Sequence, residues 1–150
     1  MQVYGLFAPA FAPATAQRYA RVSQNMREVI ATLALPSPRF RYTPVIRAGS
    51  LVFVSGLIGL NPAQGGLADG PYAQTHQVMK NLFDLCDEQG WAREQILMAR
   101  VYCSGPDAAS EFNRAWDEVF ESIVPPARSV ATVLSLPLGA AIEIEFQLAL

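Results

Sequence analysis

With 150 residues, 51% of them hydrophobic, the chain is long enough for one compact core and too short for two ordinary domains. A net charge of -2 supplies no basic stripe to neutralise a phosphate backbone, which argues against a dedicated nucleic-acid binder. Charged residues make up only 16%, below the ~25% usual in soluble chains, so apolar surface is expected to be buried between subunits as well as within one.

No apolar run reaches the ~20 residues that a membrane-spanning helix needs. The start, Met1 to Pro13, is apolar but lacks a basic beginning and is interrupted by prolines, a poor fit to a secretory signal. Cys86 and Cys103 have no Cys-x-x-Cys spacing and read as buried apolar residues in a reducing compartment, so a cytoplasmic protein is expected.

In chain order, the Pro- and Ala-rich residues 1–14 carry no nameable chemistry. Thr15 is placed to cap a helix running to about Ala34, because Tyr19, Val22, Met26, Val29, Ile30 and Leu33 recur at helical steps and Pro36 and Pro38 stop it. Residues 1–38 are therefore read as a helical extension and 39–150 as the domain proper. Arg39, Arg41 and Arg47 read as a solvated edge that protects a sheet end.

Phe40 to Ile46, a turn at Ala48-Gly49-Ser50 and Leu51 to Ser55 form a predicted hairpin, with Tyr42 a half-buried aromatic on it and Gly56 closing the second strand. A turn-rich loop follows from Asn61 to Pro71. Tyr72 to Gln89 is a predicted helix with a stripe of Val78, Leu82, Leu85 and Cys86, stopped by Gly90. The only histidine, His76, stands on it without a partner that would suggest a triad or a metal site, so it reads as a surface or helix-contact residue. Ile96 to Cys103 is a predicted strand; Asp107 is placed to cap the next helix, with Phe112, Trp116, Val119, Phe120 and Ile123 facing inward.

The last quarter carries the most information. Ala127 to Val133, after the pair Pro125-Pro126, reads as a strand, and Ile142-Glu143-Ile144-Glu145-Phe146-Gln147-Leu148 alternates with the two-residue period of a half-buried one. Between them Leu136-Pro137-Leu138-Gly139 is a loop. Arg128 thus stands at the mouth of one strand while Glu143 and Glu145 share a face of the next. Carboxylates on a strand of Ile, Phe and Leu need water, a cation or a donor. Spacing alone favours a structural Arg–Glu pair and a solvated face over a ligand site. Ser129 has no adjacent base and reads as a structural hydroxyl. The element order, two strands, a helix, a strand, a helix and two strands, suggests an α+β sheet with two helices on one face.

Five short stretches, in two signatures, resemble one family. Pro126-Ala127-Arg128-Ser129, then Leu136-Pro137 and Ile142-Glu143-Ile144-Glu145, resemble the C-terminal signature of the RidA/YjgF (Rid, L-PSP) family, and Arg47 to Gly56 with Asn61-Pro62 resemble its N-terminal one. The resemblance covers roughly Phe40 to Leu150. It implies a single-domain mixed β-sheet of the YjgF or chorismate-mutase-like type and a trimer with a central barrel and sites at subunit interfaces. The implied reaction is hydrolytic deamination of small 2-imino acids or enamines to 2-keto acids and ammonia, with no cofactor and no metal. The implied partners are a small carboxylate-bearing metabolite and further copies of the chain; neither nucleic acid nor a membrane is expected.

Carried over position by position, Arg128 would bind the substrate carboxylate, Glu143 would activate water and Tyr42 would line the pocket, with Gly56 and Val130 contributing backbone N–H donors. Glu145 is the weaker glutamate candidate. Two departures stand out: Leu57 occupies a position where many relatives have glutamine, making the pocket wall more apolar, and Tyr42 is preceded by Arg41 rather than proline. These leave room for a family enzyme recruited to another step of imine, enamine or enol chemistry, for a non-catalytic metabolite-binding trimer, and for the ribonuclease activity by which some relatives are known.

Overall fold

The structure, a computed structural model, describes residues 27–150. Its elements are β1 (Glu28–Val29), β2 (Val45–Ala48), β3 (Leu51–Ile58), α1 (Gly70–Gln89), β4 (Ile96–Cys103), α2 (Pro106–Val119), β5 (Ala127–Thr132) and β6 (Ile142–Ala149). The strands form one six-stranded sheet in the order β1-β2-β3-β6-β4-β5, antiparallel throughout except for the parallel pair β4 and β5. Both helices lie on one face of this mixed sheet. No helix among the described residues is long and apolar enough to cross a membrane.

Alternation decides which face is covered. Ile142, Ile144, Phe146 and Leu148 of β6, and Ala99, Val101 and Cys103 of β4, are buried beneath the helices, whereas Glu143, Glu145, Arg100 and Tyr102 point to the other side. The helices return a matching stripe of Val78, Met79, Leu82, Leu85 and Cys86 from α1 and Phe112 and Trp116 from α2. Both cysteines are buried and unpaired, and burial first of all pushes the Cys86 thiol up to about 11. The uncovered face displays Leu51 and Phe53, each at least 40% exposed, which is apolar surface with no cover among the described residues.

Several boundaries differ from those read in the sequence. The predicted helix from Thr15 lies mostly in residues 1–26, outside the described residues, but its last part is not helical: Glu28–Val29 is a strand on the sheet edge, and the Ile30 N–H donates to the Val45 carbonyl at 3.1 Å. The β-branched Val29 and Ile30 suit a ladder at least as well as a helix. The hairpin strand begins at Val45, not Phe40. Asp107 does not cap α2; Gly105 precedes it and Pro106 opens it, leaving Asp107 in the first turn where its charge complements the helix dipole.

The strand β3 runs past Gly56 to Ile58 through a bulge. Val54 pairs with Phe146 and Leu57 with Ile144, three steps on one strand against two on the other. The extra residue returns Leu57 to the core face and pushes Ser55 and Gly56 out of the regular pleat.

Candidate active site

The sequence places Arg128 and Glu143 on consecutive strands, but β4 lies between β5 and β6, so the two residues are about 10 Å apart across the sheet from strand spacing alone. They also face opposite ways. Arg128 is in register with Ala99, on the helix side, and Glu143 with Tyr102, on the uncovered side. A single chain therefore does not bring Arg128 and Glu143 together, and the Arg–Glu pair that spacing favoured does not form. Glu145 instead lies 3.9 Å from Arg100 in a half-exposed, weak pair.

What a single chain does assemble is a cavity of about 280 Å³ at the end of the uncovered face. Tyr42, Ser55, Gly56 and Glu143 line it, as do the polar Ser37 and Arg39. Ser55 is fixed by two bonds across the hairpin, its hydroxyl donating to the Thr43 carbonyl at 2.8 Å and its N–H to that of Pro44 at 2.9 Å. The Glu143 carboxylate lies over Gly56: a Cβ on Gly56 would stand 1.9 Å from Glu143 Oε1. Only glycine allows this approach.

Burial first, and then the charge of Glu145, pushes the Glu143 carboxyl above its ordinary pKa. Tyr42 is raised as well, by burial and then by Glu143. The start of β6 is held from behind by the buried Gln74 of α1. Its Oε1 accepts from the N–H groups of Ala141 and Ile142 at 2.8 and 3.3 Å, and its Nε2 donates to the Ala68 carbonyl at 3.1 Å. Glu143 is the next residue along, so this clamp sets where its backbone begins.

Arg128 and Val130 belong to β5, every residue of which is exposed on the sheet edge. The guanidinium carbon of Arg128 nevertheless lies 5.3 Å from the centroids of both the Phe112 and Trp116 rings, within cation–π range. The side chain is thereby oriented without a carboxylate partner among the described residues. Leu57 is buried in the core and reaches only a small side cavity beside the main one; the residue on the main cavity wall is its neighbour Ile58. His76 lies on the outer helix surface with its Nε2 3.3 Å from Glu118, which also accepts from the Tyr72 hydroxyl at 2.5 Å. It links α1 to α2, far from the cavity in role.

The remaining wall was not read from the sequence as a site. Leu60, Phe40, Pro36, Ser37, Pro137 and Leu138 complete it with Arg39, which donates to the Gly65 carbonyl at 2.8 Å. The one signal available was the loop Leu136-Pro137-Leu138-Gly139, whose side-chain direction no periodicity reports.

A family model described as Endoribonuclease L-PSP matches residues 32–149. The chain belongs to this family, the RidA/YjgF family. Among its relatives, a RutC family protein of Aquifex aeolicus is 36% identical over 80% of this chain and 96% of its own length. The human 2-iminobutanoate/2-iminopropanoate deaminase is 28% identical over 83% of this chain and 90% of its own. The crystal structure of the Escherichia coli YjgF gene product superposes with a TM-score of 0.76 at 26% identity, covering 81% of this chain and 98% of that one. This RidA/YjgF chain has the family's arrangement of two helices on a mixed six-stranded sheet.

Proposed function

We propose that this RidA/YjgF chain hydrolyses reactive 2-imino acids, or their enamine tautomers, to 2-keto acids and ammonia. The observation that carries the reading is Glu143: a half-buried carboxylate with raised pKa, pressed over Gly56 beside Tyr42, contacted by no hydrogen-bond donor among the described residues and open to a cavity. Such a group is suited to take a proton from water. As the water oxygen bonds to the imine carbon, the C=N pair moves to nitrogen and Glu143 receives the water proton. Glu143 passes this proton to the nitrogen, giving the neutral carbinolamine, and then relays the hydroxyl proton to the same nitrogen as the C–N bond breaks, so that ammonia leaves and the carbonyl forms. An imine is already electrophilic, so positioning and one base suffice.

Arg128 would hold the substrate carboxylate in a bidentate pair, with the N–H groups of Gly56 and Val130 as further donors. Because Arg128 and Glu143 face opposite sides of one sheet, the reading requires them to come from different subunits, the exposed β5 of one copy meeting the cavity of the next. The trimer implied by the family resemblance, with the apolar Leu51 and Phe53 face turned inward, would meet that requirement. A reducing compartment such as the cytoplasm suits its two unpaired thiols.

The test couples an amino-acid oxidase to keto-acid release. Arg128→Lys should raise KM strongly because an ammonium cannot reproduce the planar fork, and Glu143→Gln should lower kcat. Co-expressing two inactive variants, Arg128→Ala and Glu143→Gln, should restore roughly a quarter of wild-type activity if sites are shared around a closed ring. Unchanged rates in both single variants would remove the mechanism, and no restoration on mixing would remove the shared site. Carboxylate binding without turnover of any imine would favour a metabolite-binding trimer.

A further inference from the structure

Among the described residues the buried polar side chains are Gln74, Thr75 and Asn81, and all three belong to α1. Burying an amide costs free energy unless its hydrogen bonds are made, and an apolar residue of the same size would hold helix to sheet at least as well. What an amide does and an apolar side chain cannot do is fix the position of particular main-chain groups. Thr75 keeps its hydroxyl within the helix, on the Pro71 carbonyl at 2.8 Å. The other two reach out of it. Asn81 donates to the Leu60 carbonyl at 2.9 Å, and Gln74 bonds both to the start of β6 and to the loop before α1.

Gln74 acts where the sheet loses a strand. β3 pairs with β6 as far as Ile58 with Glu143 and then turns away at Gly59, whose carbonyl accepts from the Ala68 N–H instead. Beyond that pair the Gln74 Oε1 takes the N–H groups of Ala141 and Ile142, supplying the acceptor that a longer β3 would have provided. The neighbouring backbone makes room for it. A Cβ on Gly59 would stand 2.6 Å from the Gln74 Cα and 2.7 Å from its Cβ, so only glycine lets α1 come this close. Glu143 follows Ile142 directly, and its carboxylate lies over Gly56. The residue is thus held at both ends, its main chain by Gln74 and its head against a glycine. Gln74 is only 5% exposed within one chain, so its bonds do not depend on a neighbouring copy.

We propose that Gln74 is a positioning residue for the reaction: it touches no substrate, but by holding the start of β6 it sets the place from which the Glu143 carboxylate reaches water. The role of Glu143 rests on the deaminase reading; the coupling of Gln74 to Glu143 rests on the hydrogen bonds alone. A displacement on the order of 1 Å at a reacting group costs roughly a hundredfold in rate, so loss of this clamp is read in kcat. It leaves KM nearly unchanged, because the substrate carboxylate is bound by Arg128 on β5, which Gln74 does not contact.

The experiment compares Gln74→Met, Gln74→Glu and Thr75→Val in the full chain by kcat and KM for keto-acid release, by Tm, and by NMR titration of the glutamate carboxyl carbons. The Glu143 signal is the one missing from Glu143→Gln. Gln74→Met keeps the length of the side chain but cannot accept from either N–H, and it should lower kcat about tenfold or more with KM within about threefold of wild type. Gln74→Glu keeps an acceptor oxygen in either protonation state and should return kcat to within about fivefold of wild type, even where its Tm is the lower. Thr75→Val removes a buried hydrogen bond that never leaves α1, so Tm should fall while kcat stays within about twofold. The Glu143 carboxyl should titrate nearer its ordinary value in Gln74→Met and as in wild type in Thr75→Val, its neighbours Glu145, Tyr102 and Tyr42 being the same in both. If Gln74→Met does not fold, Gln74→Asn, whose amide is one methylene too short to reach β6, takes its place with the same expectation. A folded variant lacking the clamp that keeps kcat within about threefold, an unmoved Glu143 titration in it, or an equal loss of kcat in Thr75→Val would overturn the proposal and leave the deaminase reading standing. No turnover of any imine by the wild type, with the Glu143 titration moved in Gln74→Met alone, would discard the deaminase reading and uphold the positioning.

Discussion

Gly56→Ala isolates the placement of the Glu143 carboxylate from every other property of the site. The new Cβ would sit 1.9 Å from Oε1, 2.8 Å from Cδ and 3.0 Å from Cγ of Glu143, whereas ordinary contact starts at 3.4 Å. The carboxylate must therefore retreat by about 1.5 Å. The obstructed atoms are the far end of a flexible side chain and Gly56 does not have positive φ, so the backbone accepts alanine and stability should stay within about 1 kcal/mol of wild type. Activity should not be spared. A displacement on the order of 1 Å in a reacting group costs roughly a hundredfold, or about 2.7 kcal/mol of transition-state stabilisation. The assay is kcat/KM for keto-acid release, alongside Tm to confirm a folded enzyme. Glu143→Asp, which withdraws the carboxylate by one methylene, should suffer much less from the added alanine, so the double mutant should be strongly non-additive. A folded Gly56→Ala enzyme within threefold of wild-type rate would show that the position of this carboxylate does not govern the chemistry.

Two further predictions concern charge and orientation. The folded chain holds the Glu143 proton more tightly than the unfolded chain, through burial and then Glu145, so this group's contribution to stability is greatest below the ordinary carboxylate pKa and is lost as pH rises through the raised one. Glu143→Gln should accordingly melt higher than wild type at neutral pH, with the gain vanishing in acid; Glu145→Gln should shift the acidic limb of kcat to lower pH, and an unmoved limb would refute the coupling. Trp116→Leu should loosen Arg128 and raise KM about fivefold with a smaller effect on kcat, the size of a cation–π contact of about 1 kcal/mol. Trp116→Phe, which keeps a ring there, should recover most of it; equal effects of Leu and Phe would mean that the aromatic face does not orient Arg128.

Local patterns were legible wherever neighbouring residues settle the outcome. The alternation of β6 announced both the strand and the outward Glu143 and Glu145, and the stripes of Val78, Leu82, Leu85 and of Phe112 and Trp116 announced two helices with one buried face. Glu28 and Val29 failed that test because a short β-branched run fits either period, and the partner that decides it, β2, is seventeen or more residues away in the register Glu28 with Arg47 and Val29 with Ile46.

The sequence by itself determined the family and the order of elements from β2 to β6, since these depend on spacing along the chain. Tertiary structure alone decided their arrangement in space. Insertion of β4 between β5 and β6 set Arg128 and Glu143 apart, and their registers with it put them on opposite faces; a bulge at Ser55-Gly56 sent Leu57 inward and let the carboxylate rest on a glycine; a left-handed Leu138 became a wall of the cavity. The first two arise from pairings between distant segments, whose relative position no local periodicity encodes.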